Sequence, residues 1–210
     1  MSTRLVVVRH GETEWNLASR IQGHADSPLT PAGEAQAAAI AERLARERFD
    51  RLVSSDLGRA WRTAQAIAAR TGHAIVADAR FRERNYGLAE GLTYGEIGVH
   101  YPEIFSRVRD TDPDYVVPGG ESRRQLFERI RDAFESLARG GDGQRIAVVC
   151  HGGVLAALYR HVHGIPVGAA QAIPIPNASY NALVFEDGRW AVEVWADTAH
   201  LCATEPFVEP

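Results

Sequence analysis

The stretch Leu5-Val6-Val7-Val8-Arg9-His10-Gly11-Glu12-Thr13, LVVVRHGET, runs through four apolar residues and then turns to two nitrogen-rich side chains and a glycine. The apolar run is short, mostly β-branched and without alternation, which suits a strand covered on both faces. Residues just past the end of such a strand surface where open α/β sheets bind their ligands. Downstream the rhythm repeats. Thr30-Pro31 supplies an N-cap and a first-turn proline to a helix rich in Ala, Glu and Arg that reaches about Arg48. Residues 51–54 read as a strand, Ser55-Asp56 as a cap, 57–70 as a helix closed by Thr71-Gly72, and 73–76 as a third strand. Residues 145–150, RIAVVC, form a fourth apolar run, followed by a helix from Gly153 to about His163 that Gly164 and Pro166 stop. This alternation predicts a three-layer α/β/α fold with a mainly parallel central sheet and helices on both faces.

Between the third and fourth strands lies a longer, mostly helical region. Thr93-Tyr94-Gly95-Glu96 and Ser122-Arg123-Arg124-Gln125 both match the capping-box pattern, and Pro113, Pro118, Gly119 and Gly120 break the middle. The region reads as a helical cap insertion over roughly 84–125 within a single domain spanning 1–210, and such insertions shape substrate pockets. Near the end, residues 179–185 and 189–195 flank Glu186-Asp187-Gly188, with Trp190, Val192 and Val194 alternating, which is a hairpin signal. A hairpin at a sheet edge could support a homodimer.

Composition narrows the function classes. The 210 residues are 45% hydrophobic, enough for one ordinary core. A net charge of -4 offers no global cationic field for nucleic acid or an anionic membrane, so neither is expected as a partner. Any anion must be gripped locally. All 23 basic residues are arginine, which removes P-loop and lysine Schiff-base chemistry. Cys150 and Cys202 make no disulfide framework, and the opening apolar run is too short for a signal core or a membrane span, so the expected location is the cytoplasm.

The strand exits share one chemistry: Arg9-His10-Gly11 after the first, Ser54-Ser55-Asp56 and then Arg59 after the second, Arg82-Glu83-Arg84-Asn85-Tyr86-Gly87 beyond the third, and Cys150-His151-Gly152-Gly153 after the fourth. Two histidines, several arginines and a glutamate therefore converge on one rim. His161 and His163, near a helix end, find no third metal ligand at convincing spacing, and no metal is expected. Cys150 reads as a small buried apolar residue. His24, His73, His100 and His200 fall outside the constellation.

In these segments the chain resembles the histidine phosphatase superfamily, also called phosphoglycerate mutase-like. The matching pieces are LVVVRHGETEWN (Leu5 to Asn16), RIQGHADSPLTPAG (Arg20 to Gly33), SSDLGRAWRTA (Ser54 to Ala64), RERNYGLAEG (Arg82 to Gly91) and VVCHGG (Val148 to Gly153), in the family's order and over most of the chain. The resemblance implies that His10 is a nucleophile that accepts a phosphoryl group, with Arg9, Arg59 and His151 gripping its oxygens. Flanking cations help keep such an imidazole neutral, and a planar guanidinium can meet two phosphoryl oxygens at once. Backbone N–H groups of Gly152-Gly153 at a helix start could add donors. Glu83 matches the family's proton donor, which a phosphate dianion nearby would help to start protonated. Its bland alternative is an ion-pair cluster with Arg80, Arg82 and Arg84. Asn16, Gln22 and Gly23 match positions that contact phosphate or substrate. No cofactor is implied.

The shared core leaves open whether the phosphoryl group passes to water or to a second hydroxyl. Bisphosphoglycerate-dependent mutases carry a lysine and an Arg-Arg pair in the cap; here the corresponding spacings reach Tyr94 and Asp110-Thr111. Arg107, Arg109, Arg123 and Arg124 could compensate, but Asp110, Asp112 and Asp114 oppose a strongly anion-holding cap. The expectation is a phosphomonoesterase acting through phosphohistidine on a small phosphorylated metabolite, with a mutase as the alternative. Tyr86, Tyr94 and Phe105 would set substrate range. A binding module without turnover would have lost nucleophile, clamp or acid, and all are present.

Overall fold

Leu5 to Val8 are all but fully buried because β1 (Thr3–Arg9) lies inside a sheet with a helical layer on each face. A computed structural model describes residues 2–109, 112–170 and 172–204. β1, β2 (Arg51–Ser54), β3 (Ile75–Ala77), β4 (Arg145–Cys150), β5 (Tyr180–Glu186) and β6 (Arg189–Asp197) form one sheet in the order β3-β2-β4-β1-β5-β6. The pairs β1–β4, β2–β4 and β2–β3 are parallel, whereas β5 runs antiparallel to both β1 and β6. The hairpin thus covers one side of β1 and leaves β6 at the edge. Its turn residues Asp187 and Gly188 both have positive φ, 50° and 77°, as a tight hairpin of the right twist requires.

Alternate residues of each strand feed different layers. Leu5, Val7, Ile146 and Val148 pack with α6 (Arg123–Gly140) and α7 (Gly152–His163). Val6, Val8, Ala147 and Val149 pack with α2 (Pro31–Ala45) and α3 (Gly58–Thr71). The chain leaves β1 toward β2 through α2 and returns to β4, between them, through α6. The switch in direction opens a crevice between β1 and β4. Register places Val8 beside Val149 and Ser54 beside Val149, so the residues after all three strands emerge at one level.

Local sequence explains most helix starts. Thr30 caps α2 by accepting from Gly33 N, with Pro31 at the first position. The two capping boxes open α4 (Tyr94–His100) and α6 as expected. A third, Thr13 with Asn16, opens the single turn α1 (Glu14–Leu17), which periodicity missed. At α3 the expected Ser55-Asp56 cap does not form: the cap residue is Leu57, with no side-chain bond. β3 begins two residues later than expected, because His73 stacks on Phe49 at 4.0 Å and its Nε2 meets Phe49 O at 2.8 Å.

Between β3 and α6, α4 and α5 (Pro102–Arg109) gather around a small core of Ala89, Ile97, Ile104 and Val117. Asp110-Thr111, where the spacing of the mutase arginine pair falls, and residues 205–210 lie outside the described residues. Among the described residues no helix is long and apolar enough to cross a membrane.

Candidate active site

The parallel register of β1 and β4 brings His10 and His151, each the first residue past its strand, to 5.2 Å between ring centroids. Both are essentially buried. His10 Nδ1 lies 2.8 Å from Gly11 O. A carbonyl only accepts, so Nδ1 carries the hydrogen and Nε2 keeps its lone pair. His151 Nε2 lies 2.8 Å from Ser55 Oγ, which already accepts from Leu57 N at 3.3 Å. Donation from the Ser55 hydroxyl to Nε2 satisfies both groups and places the His151 proton on Nδ1.

Burial first, then the cations Arg59 and Arg9, holds the pKa of His10 well below the ordinary histidine range. Burial, Arg59 and His10 do the same for His151. Both rings therefore stay neutral at neutral pH, His10 as a base with an open lone pair and His151 as an N–H donor. The linkage to stability has a definite sign. Below pH ~6.5 the unfolded chain binds protons at these histidines that the folded chain does not. Stability should thus fall as pH drops from about 6.5 to 5.5, by up to roughly 1.4 kcal/mol per pH unit for each ring. Urea midpoints across that range should show a shallower slope for His151→Gln than for wild type; equal slopes would mean that His151 titrates normally in the fold.

The arginines are fixed by the backbone. Arg59 is 2% exposed. Its Nη1 donates to Ala25 O and Asp26 Oδ1, both at 3.0 Å, and its Nη2 to Gly23 O at 2.8 Å. Most of the expected two-pronged fork is thus occupied by protein, a correction to the simple clamp drawn from residue type. Arg9 Nη1 donates to Ile175 O at 2.6 Å. What remains is specific: Arg9 Nε, Arg59 Nε and His151 Nδ1 are buried without any hydrogen-bond partner, as is the acceptor Gln22 Oε1. Unpartnered buried donors are costly unless a ligand meets them.

Glu83 accepts from Arg84 N through Oε1 at 2.7 Å and from Gly153 N through Oε2 at 2.8 Å. The competing surface cluster does not form. Arg80 pairs with Asp78, Arg82 with Asp56, and the Arg84 side chain donates to Glu121 O and Tyr115 O. Gly153 N–H is committed to Glu83, so of the Gly152-Gly153 pair it does not serve a phosphate as expected. A Cβ at 153 would meet Glu83 Oε1 at 2.1 Å and so displace that carboxylate. Gly152 is looser, its Cβ position 3.6 Å from the Arg9 guanidinium carbon.

Asn16 sits at the rim with Oδ1 taken by Thr13 N at 3.1 Å and Asn177 Nδ2 at 3.2 Å. Gly23, at φ 60°, turns the loop whose carbonyls hold Arg59. Four supporting residues escaped the sequence reading. Asn177 Nδ2 donates to His10 O at 3.1 Å, His24 Nε2 lies 2.9 Å from Glu83 O, and Ser55 orients His151. The Glu90 carboxylate accepts from His24 N, Ala25 N and Tyr86 N, tying the Arg59 loop to the Glu83 segment. Ser55 lies in the strand-exit segment, where its residue type reads as a helix cap, and Glu90 stands as the acidic residue inside an otherwise turn-rich stretch.

Cys150 is buried, and burial pushes its thiol pKa far up, which leaves it an inert packing group. His161 Nε2 pairs with Glu135 Oε1 at 3.0 Å, and His163 packs on Tyr159 at 4.2 Å.

Residues 5–198 match the family model for the histidine phosphatase superfamily, branch 1. The chain is 42% identical over 202 residues to a metal-independent phosphoserine phosphatase of Arabidopsis thaliana, covering 95% of this chain and 83% of that protein. It is 40% identical over 201 residues to phosphoglycerate mutase-like protein 4 of the same plant, covering 94% and 86%. Among solved structures, a mycobacterial glucosyl-3-phosphoglycerate phosphatase superposes with a TM-score of 0.81 at 34% identity, covering 93% of this chain and 99% of that one.

Proposed function

Because the chain belongs to the histidine phosphatase superfamily, whose members are phosphoryl-transfer enzymes, we propose that it hydrolyses a small phosphorylated metabolite with the residues of the β1–β4 crevice. The observation that carries this assignment is the trio of buried, unpartnered N–H groups, Arg9 Nε, Arg59 Nε and His151 Nδ1, around a neutral histidine. Three donors converging from three elements match the three equatorial oxygens of a transferring phosphoryl group.

In the first step His10 Nε2 attacks phosphorus, the bond to the alcohol oxygen breaks, and Glu83 delivers its proton to that oxygen. In the second, water attacks the phosphohistidine, Glu83 takes a proton from the water, and phosphate leaves with His10 neutral again. Gln22 and Asn16 lie on the substrate side, with Gly23 and Gly152 shaping the walls. Nucleophile, clamp and proton donor all come from the chain, so the cycle calls for no metal or cofactor.

Water is the acceptor we favour because two of the cap cations pair with local aspartates. Arg107 pairs with Asp112 at 2.8 Å and Arg124 with Asp114 at 2.5 Å. Tyr94 is half exposed where a mutase would place lysine. The chain is read as one domain over 1–210 with its cap insertion at roughly 84–125, acting in the cytoplasm without nucleic-acid or membrane partners, and with the β6 edge available for a homodimer. Phosphorus NMR with 3-phosphoglycerate and a trace of 2,3-bisphosphoglycerate tests the acceptor. Phosphate released without the 2-phospho isomer is the expected result; rapid isomer formation would make the protein a mutase.

A further inference from the structure

Glu83 stands in a segment that neither the sheet nor a helix holds. Residues 82–86 run between two single helical turns, Ala79–Phe81 and Gly87–Ala89, so their carbonyls have no regular ladder to enter. A proton donor nevertheless has to be held to within about 0.5 Å of its working place. A side chain on α6 supplies the hold.

Arg129 Nη1 donates to Arg80 O at 2.6 Å and Arg82 O at 2.9 Å, and Nη2 donates to Glu83 O at 3.3 Å. Nε and Nη2 also grip the two carboxylate oxygens of Glu121, at 3.0 and 2.8 Å. A guanidinium has five N–H groups, and these five bonds use all of them, so Arg129 has none left for a substrate. Glu121 returns to the same segment. Its N donates to Asn85 O at 2.8 Å, and its O accepts from Arg84 Nε at 2.8 Å. Each residue from Arg82 to Asn85 therefore touches Arg129 or Glu121.

The pair is partly shielded from water, with side chains 24% and 17% exposed. An ion pair that merely tied α6 to the chain before it would need the carboxylate contacts alone. The three carbonyl bonds bear on Glu83 instead: they fix the backbone from which its carboxylate reaches Gly153 N at 2.8 Å. Glu83 O is shared with His24 Nε2 at 2.9 Å, so losing Arg129 would loosen this backbone without freeing it.

We propose that Arg129, aimed by Glu121, is a positioning residue for the proton donor: it holds the Glu83 backbone so that the carboxyl group meets the leaving alcohol oxygen. The inference rests on the phosphatase reading above, in which Glu83 protonates that oxygen.

The test compares kcat/KM for phenyl phosphate and para-nitrophenyl phosphate on the same protein preparation. This quantity covers steps up to departure of the alcohol, so the later work of Glu83 on water does not enter. Phenolate, about as basic as tyrosinate at pKa ~10, leaves well only with a proton, whereas the much less basic para-nitrophenolate needs little help. Arg129→Met should lower kcat/KM for phenyl phosphate by about tenfold and for para-nitrophenyl phosphate by no more than about threefold. Arg129→Lys, the milder change, should fall between wild type and Met, because an ammonium lacks the planar fork. Glu83→Gln should shift the ratio of the two esters further in the same direction, and adding Arg129→Met to it should leave that ratio where it is. Taking the ratio within each preparation cancels any loss of folded protein.

An equal fall for both esters in the Met and Lys variants would reduce Arg129 to a structural tie and overturn the proposal. So would an Arg129→Met shift of the ratio that persists undiminished beside Glu83→Gln, or a ratio that Glu83→Gln does not move. In each of these cases phosphate release by wild type keeps the phosphatase reading standing. Release from neither ester by wild type overturns both.

Discussion

His10→Ala should lower phosphate release by on the order of 10⁴-fold or more, because it removes the atom that forms the covalent intermediate. The folded protein should survive the change. His10 is buried as a neutral ring whose single hydrogen bond goes to the adjacent Gly11 O, so the stability cost is that of one truncated side chain and one lost bond, about 1–3 kcal/mol. Wild-type protein mixed with substrate and quenched in alkaline denaturant should show the phosphorus signal of a phosphoramidate, and the variant should show none. A variant that kept full turnover would remove the proposed mechanism, whatever its structure.

Arg59→Met should have the next largest effect, and on two quantities at once. The guanidinium supplies an unpartnered Nε beside His10, so kcat/KM should fall by roughly 10³-fold. It also satisfies the carbonyls of Gly23 and Ala25 and pairs with Asp26, and leaving those acceptors unmet should cost about 2–4 kcal/mol in urea unfolding. The Asp26 contribution is discounted because that side chain is 39% exposed. Arg59→Lys should not rescue activity, since an ammonium cannot reach three acceptors and still present a donor at the Nε position. Activity near wild type in Arg59→Lys would show that positive charge alone suffices.

Much of this arrangement is legible along the chain. A β-branched run that ends in Arg9-His10-Gly11, and another that ends in His151-Gly152, can only place those residues at strand exits, and parallel strands expose their exits on one rim. Glu83 was harder, because its neighbours Arg80, Arg82 and Arg84 offered a complete bland explanation. The structure removes it by giving each of those arginines another partner. Ser55 shows the converse error. Its residue type and position suit a helix cap, yet the α3 start carries no side-chain cap while Ser55 Oγ meets His151, 96 residues away.

The sequence by itself determined the layer architecture and the chemical inventory of the rim, because periodicity, capping pairs and breaker residues act over a few neighbours and do not depend on what packs against them. Tertiary structure alone decided how that inventory is used. Which way β5 runs places Asn177 behind His10, which loop carbonyls reach Arg59 leaves only its Nε unpartnered, and which aspartates lie near Arg107 and Arg124 decides that those two cations are paired within the cap region. The first two are contacts between segments far apart in the chain, where register and close packing select one partner from several that residue type would equally permit.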